Sequence, residues 1–334
     1  MAKKTKNNIL IYIIIFLIIF MPIGSGTGKN NNIDSPSSDK KTEINNQTVW
    51  GTQDLTIRTE LFTLHTTWKY INFNSLPLPR IGFSLTLNPI NNVAILFGGL
   101  NSTIGEMNDL WMTDGFEWIQ LQTPNSPSTR VNSSMAFDEA RKGVVLFGGN
   151  DNGILLGDTW FFTGIDWILK NPVLSPSPRT EASIAYDPDQ NLVILFGGQG
   201  DTGGGQWEAL GDMWTWDGVN WEQKLPTHLP PPRLGANMAY DKVNHVMLLF
   251  GGGVGGGLLN DTWTWDGSDW IEQQPQHRPP VRADFGMAYD ENKQVIIIYG
   301  GQGAPNNAID TWEWIGNDWE QIQTIQSPPE QLSY

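Results

Sequence analysis

Cysteine is absent from the 334 residues. Its absence excludes a disulfide framework, a thiolate nucleophile and any Cys-ligated metal. Positive charge is scarce: 20 Lys and Arg stand against 35 Asp and Glu, a formal net charge of −15. Such a surface repels phosphate backbones, so nucleic acid is not an expected partner. Histidines number only four, and long Ala/Leu/Glu/Lys stretches of helical type are missing. What is abundant is Gly (36) and Trp (16), a balance that favours short strands joined by tight turns.

One apolar run stands apart. Lys3, Lys4 and Lys6 precede "ILIYIIIFLIIFMPI" (9–23), and the small residues "GSGTG" follow at 24–28. A basic head, an apolar middle and a small-residue end predict an export segment over 1–28. The run is long for a signal core and short for a membrane span, so a cleaved signal and an N-terminal membrane anchor both fit. In either case the lysines stay inside and the remainder lies outside the cytoplasmic membrane. Residues 29–47, "KNNNIDSPSSDKKTEINNQ", carry too few apolar side chains to fold and read as a disordered polar linker. The folded domain is expected over 48–334.

That domain repeats. A "FGG" or "YGG" triplet has its first glycine at 98, 148, 197, 251 and 300. An arginine precedes each by 18 residues: Arg80, Arg130, Arg179, Arg233 and Arg282. An aspartate follows each glycine pair: Asp109, Asp158, Asp212, Asp261 and Asp310. A tryptophan follows each aspartate at a constant interval: Trp118, Trp167, Trp221, Trp270 and Trp319. Only the Gly-to-Asp interval varies, and it is longest in the third unit. Each unit predicts four short strands, as in "RLGANMAYD", "HVMLLFGG", "DTWTWDG" and "WIEQQ" of the fourth, with Asp-Gly turns and Pro-rich ends.

Four-stranded units repeated every 50 residues or so mark a β-propeller. The glycine pair after an apolar run, then "DTW", then a second Trp resembles the kelch repeat, in the "DTWTWDG..W" form of prokaryotic kelch-like proteins. The fold implied is an all-β propeller of the kelch type, like the central propeller of galactose oxidase, with five clear repeats. A degenerate sixth blade is expected mainly from N-terminal strands. Trp68 stands where a fourth-strand Trp belongs, although Thr59 and Leu61 replace the Asp and the first Trp. At the other end Gln331 falls at the Arg position, so the tail adds at most a stub of a first strand.

The periodic Trp, Gly, Asp and Arg residues read as scaffold. Each Arg is expected to pair with the Asp of a neighbouring unit, with a ring of cations for an anionic ligand as the alternative. Length variation between strands two and three marks the face carrying loops 2–3 and 4–1 as the binding face. The longest such loop, 199–211, presents Asp201, Gln206, Trp207 and Glu208. An aromatic beside amides and carboxylates suits a protein or sugar contact, and packing of Trp207 back onto its own blade is the alternative. Two residues after each Arg stand Gly82, Asn132, Glu181, Gly235 and Asp284, which break the symmetry. Glu181 and Asp284 are the acids of that set and candidate ligands, although the blade between them argues against contact. His228 and His277 occupy equivalent places, a weak hint of a metal. Sequons stand at Asn46, Asn101, Asn132 and Asn260, of which Asn46 and Asn101 look loop-like.

The resemblance implies a non-catalytic binding module for a protein or glycan at the cell surface, with no cofactor and no metal. The membrane would be met only through the N-terminal segment. The alternative is a sugar-acting enzyme, epimerase- or lyase-like, at the channel mouth. The copper radical oxidases that share the propeller need a Tyr–Cys cross-link, which this chain cannot make.

Overall fold

The computed structural model describes residues 76–203, 205–303 and 310–323. The expected export segment, the linker, the degenerate N-terminal blade and the C-terminal stub lie outside the described residues. Among those described, no helix is long and apolar enough to cross a membrane. Every regular element among the described residues is a β-strand.

The five repeats form five four-stranded antiparallel sheets. Blade 1 comprises Ser84–Asn88, Val93–Asn101, Gly105–Thr113 and Trp118–Leu121. In blade 4 the strands are Asn237–Asp241, Val246–Phe250, Thr262–Trp265 and Trp270–Gln273. The order follows the chain, a meander. Inner strands pack side by side in sequence: 84–88 on 134–138, then 183–187, 237–241 and 286–290. Second strands such as Val93–Asn101 and Gly143–Phe147 are buried on both faces, which is why they read as unbroken apolar runs.

Flat rings fill the wedges between blades. The fourth-strand Trp of one blade packs against the "FGG" Phe of the blade before it: Trp167 on Phe97, Trp221 on Phe147, Trp270 on Phe196 and Trp319 on Phe250, with centroids 5.0–5.8 Å apart. The glycine pair makes the bend that passes the next blade. Gly98 and Gly99 have φ of 67° and 101°. A Cβ on Gly98 would lie 2.8 Å from the Arg130 carbonyl oxygen. The Gly99 N–H donates to that same carbonyl at 2.9 Å, and the bond recurs from Gly149, Gly198 and Gly252.

Each periodic Arg is buried and held on all sides. Arg233 donates to both Asp261 oxygens at 2.7 Å, to the Gly251 carbonyl at 3.0 Å and to the Pro231 carbonyl at 3.0 Å. The first tryptophan's indole donates to the same carboxylate, Trp263 to Asp261 at 2.8 Å. Arg80–Asp109, Arg130–Asp158 and Arg179–Asp212 repeat the arrangement, and Arg282 meets Asp310 through a single ion-pair contact at 2.8 Å. The partner is therefore the Asp of the same unit, not of a neighbouring one. The physical reason is the bend at the glycines. It returns the Asp to the base of its own second strand, where Gly251 N–H bonds the Asp261 carbonyl at 3.2 Å.

The guanidinium cannot leave its charge unpaired at this depth. Asp261→Ala is expected to cost about 3–5 kcal/mol in urea unfolding. Asp166→Ala, at an exposed link, should shift the midpoint far less. Burial alone would raise the carboxyls of Asp158, Asp212 and Asp261, but the arginine hydrogen bonds and charges hold them below the usual value of 3.8. Their folded pKa values are depressed, so this stabilisation is present above about pH 4 and is lost as acid titrates them.

Candidate functional site

The variable loops 2–3 are not irregular. In the first four units the loop begins as a two-stranded ribbon: Asn150–Asp151 with Ile154–Leu155, Gly253–Val254 with Gly257–Leu258, and an extension of the blade 1 strands to Asn101 and Gly105. The third is the longest. Gln199–Asp201 pairs with Trp207–Ala209, and on its other edge with Arg179–Thr180. The four candidates of this loop thus sit together. Asp201 faces Trp207 across the ribbon, and Glu208 faces Gly200. The Asp201 carboxylate accepts from Gly203 N–H at 2.7 Å and Gly205 N–H at 3.0 Å, so it shapes the turn. Glu208 accepts from the Thr202 hydroxyl at 3.0 Å. Gln206 is exposed. Trp207 is 42% exposed, so it does not fold back onto its blade. Sequence pattern missed the ribbons because two-residue strands of Gly, Asn and Asp carry no strand signal.

The five symmetry-breaking positions are linked blade to blade in one series at the start of the inner strands. Asn132 N–H donates to Gly82 O at 2.6 Å, Glu181 to Asn132 at 2.9 Å, Gly235 to Glu181 at 3.1 Å and Asp284 to Gly235 at 2.9 Å. All five are left-handed, with φ between 52° and 63°. For Glu181 that conformation costs about 1–2 kcal/mol, which the interblade bonds offset. The side chains lean over the preceding blade. A Cβ on Gly235 would meet Asp284 Oδ1 at 2.7 Å. Asn132 Nδ2 donates to Glu181 Oε1 at 2.9 Å, and Gln302 Nε2 to Asp284 Oδ2 at 3.2 Å.

The bare Gly235 leaves no side chain between the two acids, so the intervening blade does not separate them electrically. Burial first, and then the Asp284 charge, push Glu181 up to about 7, against the opposing Asn132 hydrogen bond. Burial raises Asp284 as well. Its carboxylate keeps an exposed surface, and the desolvation comes from the protein atoms packed around it.

The ribbons are acidic. They and the linked series carry Glu106, Asp151, Asp201, Glu208, Glu181 and Asp284, and among the described residues no basic side chain beyond the five buried arginines. Arg278 stands in a loop 4–1 of the same face, and at the 1–2 turns of the opposite face Arg141, Lys142, Lys242 and Lys293 stand beside Asp138, Glu139, Asp241 and Glu291. Apolar tips stand among the acids: Ile104, Ile154 and Val254 are 60%, 67% and 37% exposed. The arginine ring offers no anion site, because every guanidinium is spent on its own Asp.

Other expectations resolve locally. His228 Nδ1 lies 2.7 Å from Asp269 Oδ2, and His277 Nδ1 lies 2.8 Å from Asp318 Oδ2. Each imidazole ties the end of one blade to the 3–4 turn of the next, where Asn125 similarly meets Asp166. The pair of histidines is therefore a repeated blade link rather than one shared site. Among the described residues no three His, Asp or Glu side chains converge as metal ligands would. Asn101 is a correction: it is buried, its amide donates to Pro79 O at 2.6 Å, and its oxygen accepts from Thr103 and Ile104. It is not a loop-like acceptor for a glycan. Asn46 lies outside the described residues.

A family model for the KLHDC2/KLHL20/DRC7 kelch-repeats domain matches residues 45–222 and again 168–334. The chain belongs to the kelch-repeat family. Kelch repeats generally mediate protein binding, which agrees with a rigid scaffold whose variable ribbons crowd one face. No curated protein matches the chain significantly.

Glu181 gives the site a pH signature. Its ordinary value is 4.5 and its folded value is raised. The fold therefore favours the protonated form, and the stabilisation is complete below about pH 4.5 and lost as pH rises through 7. Glu181→Gln should flatten the urea midpoint over that range and exceed the parent protein at pH 8.

Proposed function

We propose that this kelch propeller is an exported, non-catalytic module that binds a protein segment on the face of loops 2–3 and 4–1. The observation that carries the reading is Trp207, exposed on the tallest ribbon with no aromatic neighbour or indole acceptor among the described residues. A rigid aromatic offered to solvent on a β-ribbon is the kind of anchor that dominates binding energy at interfaces. The surrounding chemistry selects the partner. On the ribbons, acids without a basic residue among them, interrupted by Ile104, Ile154 and Val254, suit a cationic segment that carries apolar side chains. The apolar run behind Lys3, Lys4 and Lys6 supports export and a cell-surface setting. A glycan stacked on Trp207 would use the same aromatic, but it draws no benefit from the one-signed charge.

The test is a peptide array graded in net charge and apolar content, probed with the parent protein and Trp207→Ala. Basic peptides with apolar residues should bind, with affinity falling as salt is added. Trp207→Ala should weaken them about 30-fold, the size of a 2 kcal/mol hot spot. Binding unchanged by that substitution, or a preference for acidic peptides, would overturn the reading.

One observation favours a second reading. Glu181, raised to about 7 at the start of an inner strand, has the proton affinity of a general acid or base. It would serve an enzyme acting on a sugar there. Turnover that follows a Glu181 titration and vanishes in Glu181→Gln would establish it.

A further inference from the structure

The ribbon that carries Trp207 has a free edge. Arg179–Thr180, Gln199–Asp201 and Trp207–Ala209 form one small sheet in that order, so Trp207–Ala209 is paired on one side only. An antiparallel ladder alternates pairs that exchange two hydrogen bonds with pairs that exchange none. Two observations fix the alternation. Leu210 N–H donates to Gly198 O at 2.8 Å, which makes that pair a bonded one. In the neighbouring units the residue after the glycine pair spends both of its backbone groups on the first strand: Asn150 with Val131 at 2.9 Å each way, and Gly253 with Leu234 at 2.8 and 3.0 Å. Gln199 holds that place here, opposite Thr180. Glu208 therefore bonds inward to Gly200, while the N–H and C=O groups of Trp207 and Ala209 turn outward. No other strand or loop among the described residues takes up those outward groups.

Among the described ribbons this edge is particular to the third unit. In the second and fourth units a two-residue turn follows at once, so Leu155 and Leu258 are lone outward residues. In the first unit the edge is bridged to the next blade. Glu106 stands one place before Met107, the partner of Gly99, as Ala209 stands one place before Leu210, the partner of Gly198. The Glu106 carboxylate accepts from Asn152 N–H, at the tip of the next ribbon, at 3.0 Å. In the third unit Ala209 has no carboxylate to make that bridge. The tip of the ribbon that follows is Gly255 and Gly256, and a Cβ on either would meet nothing within 4 Å. The neighbouring blade thus puts no side chain from that tip beside the edge.

We propose that an extended segment of a partner protein adds to the outer edge of Trp207–Ala209 as a further strand, an inference that rests on the binding role of this face. The segment's main chain bonds the outward groups of Ala209 and Trp207, which supplies affinity without demanding one sequence. Side chains then select the partner. Directly opposed residues share a face of the sheet and successive residues alternate between faces. Trp207 therefore meets an apolar side chain, and Glu208, on the other face, meets a lysine or arginine. Asp201 stands opposite Trp207 and the ribbon has no basic residue. The occupant is thus a cationic strand that alternates basic and apolar residues. A second copy of this chain, at a net charge of −15, is disfavoured by the same charge.

The probe is a short fluorescein-labelled peptide alternating lysine and valine, titrated by anisotropy against the full chain. Ala209→Pro removes one outward N–H and leaves the inward bonds of Glu208 and Leu210 in place, because proline is tolerated on an edge strand. It should weaken the probe at least about tenfold. Ala209→Ser keeps the N–H and should stay within about twofold of the parent. Methylating the probe's amide nitrogens one at a time needs no change in the protein. It should abolish binding at every second residue and spare those between. Methylation tolerated at every position, or parent-like binding by Ala209→Pro, would overturn strand addition, and the binding face itself stands if Trp207→Ala still weakens the probe. A probe that the parent does not bind, or that neither Trp207→Ala nor Ala209→Pro affects, overturns both.

Discussion

Each blade depends on one buried charge pair. An arginine taken out of water at the base of the first strand is tolerable only when every N–H it presents is met. The motif supplies those partners in turn: two carboxylate oxygens from Asp, a carbonyl from the first glycine, and a carbonyl two residues upstream. The Trp indole then takes up remaining capacity on the carboxylate. The glycine pair is required because its carbonyl must turn toward the guanidinium while the next blade's Arg carbonyl approaches where a Cβ would be. The residues that recur are thus parts of a single contact.

That contact also explains which interval is free to vary. Arg and glycine touch, so the offset of 18 from one to the other is held constant. Glycine and Asp touch as well, Gly148 to Asp158 at 3.2 Å and Gly197 to Asp212 at 3.1 Å. Between them the chain leaves and returns, so extra residues extend the ribbon without disturbing the clamp. The scaffold thereby permits insertion on one face only. The longest ribbon carries the exposed Trp207, and the ribbons hold acids but no exposed lysine or arginine among the described residues. The series at the start of the inner strands follows a similar logic. Its left-handed backbone is common to all five blades, while its side chains, from bare Gly235 to Glu181, are free to differ.

Much of the architecture was legible from residues alone. The strand order, the five units and the wedge role of Trp118, Trp167, Trp221, Trp270 and Trp319 follow from spacing, because each blade meets the same packing demand. The Arg–Asp pairing was legible as a pairing but was assigned to the wrong partner. Linear spacing reports that two residues recur together, and it does not report which copy the chain brings back to which. Asn101 misled for a related reason: a sequon shows composition and not the burial of its amide. His228 and His277 were visible as a pair, while their aspartates, 41 residues further on in the next unit, were not.

The sequence by itself determined the fold class, the number of clear blades and the face on which variation is allowed. These depend on local periodicity and on turn chemistry, which act over a few residues. Only the tertiary structure decided that Trp207 faces solvent from a paired ribbon, that each guanidinium is spent within its own blade, and that Glu181 and Asp284 sense each other past Gly235. Those facts depend on how neighbouring blades twist and crowd. Desolvation and charge coupling are set by distances between residues far apart in the chain.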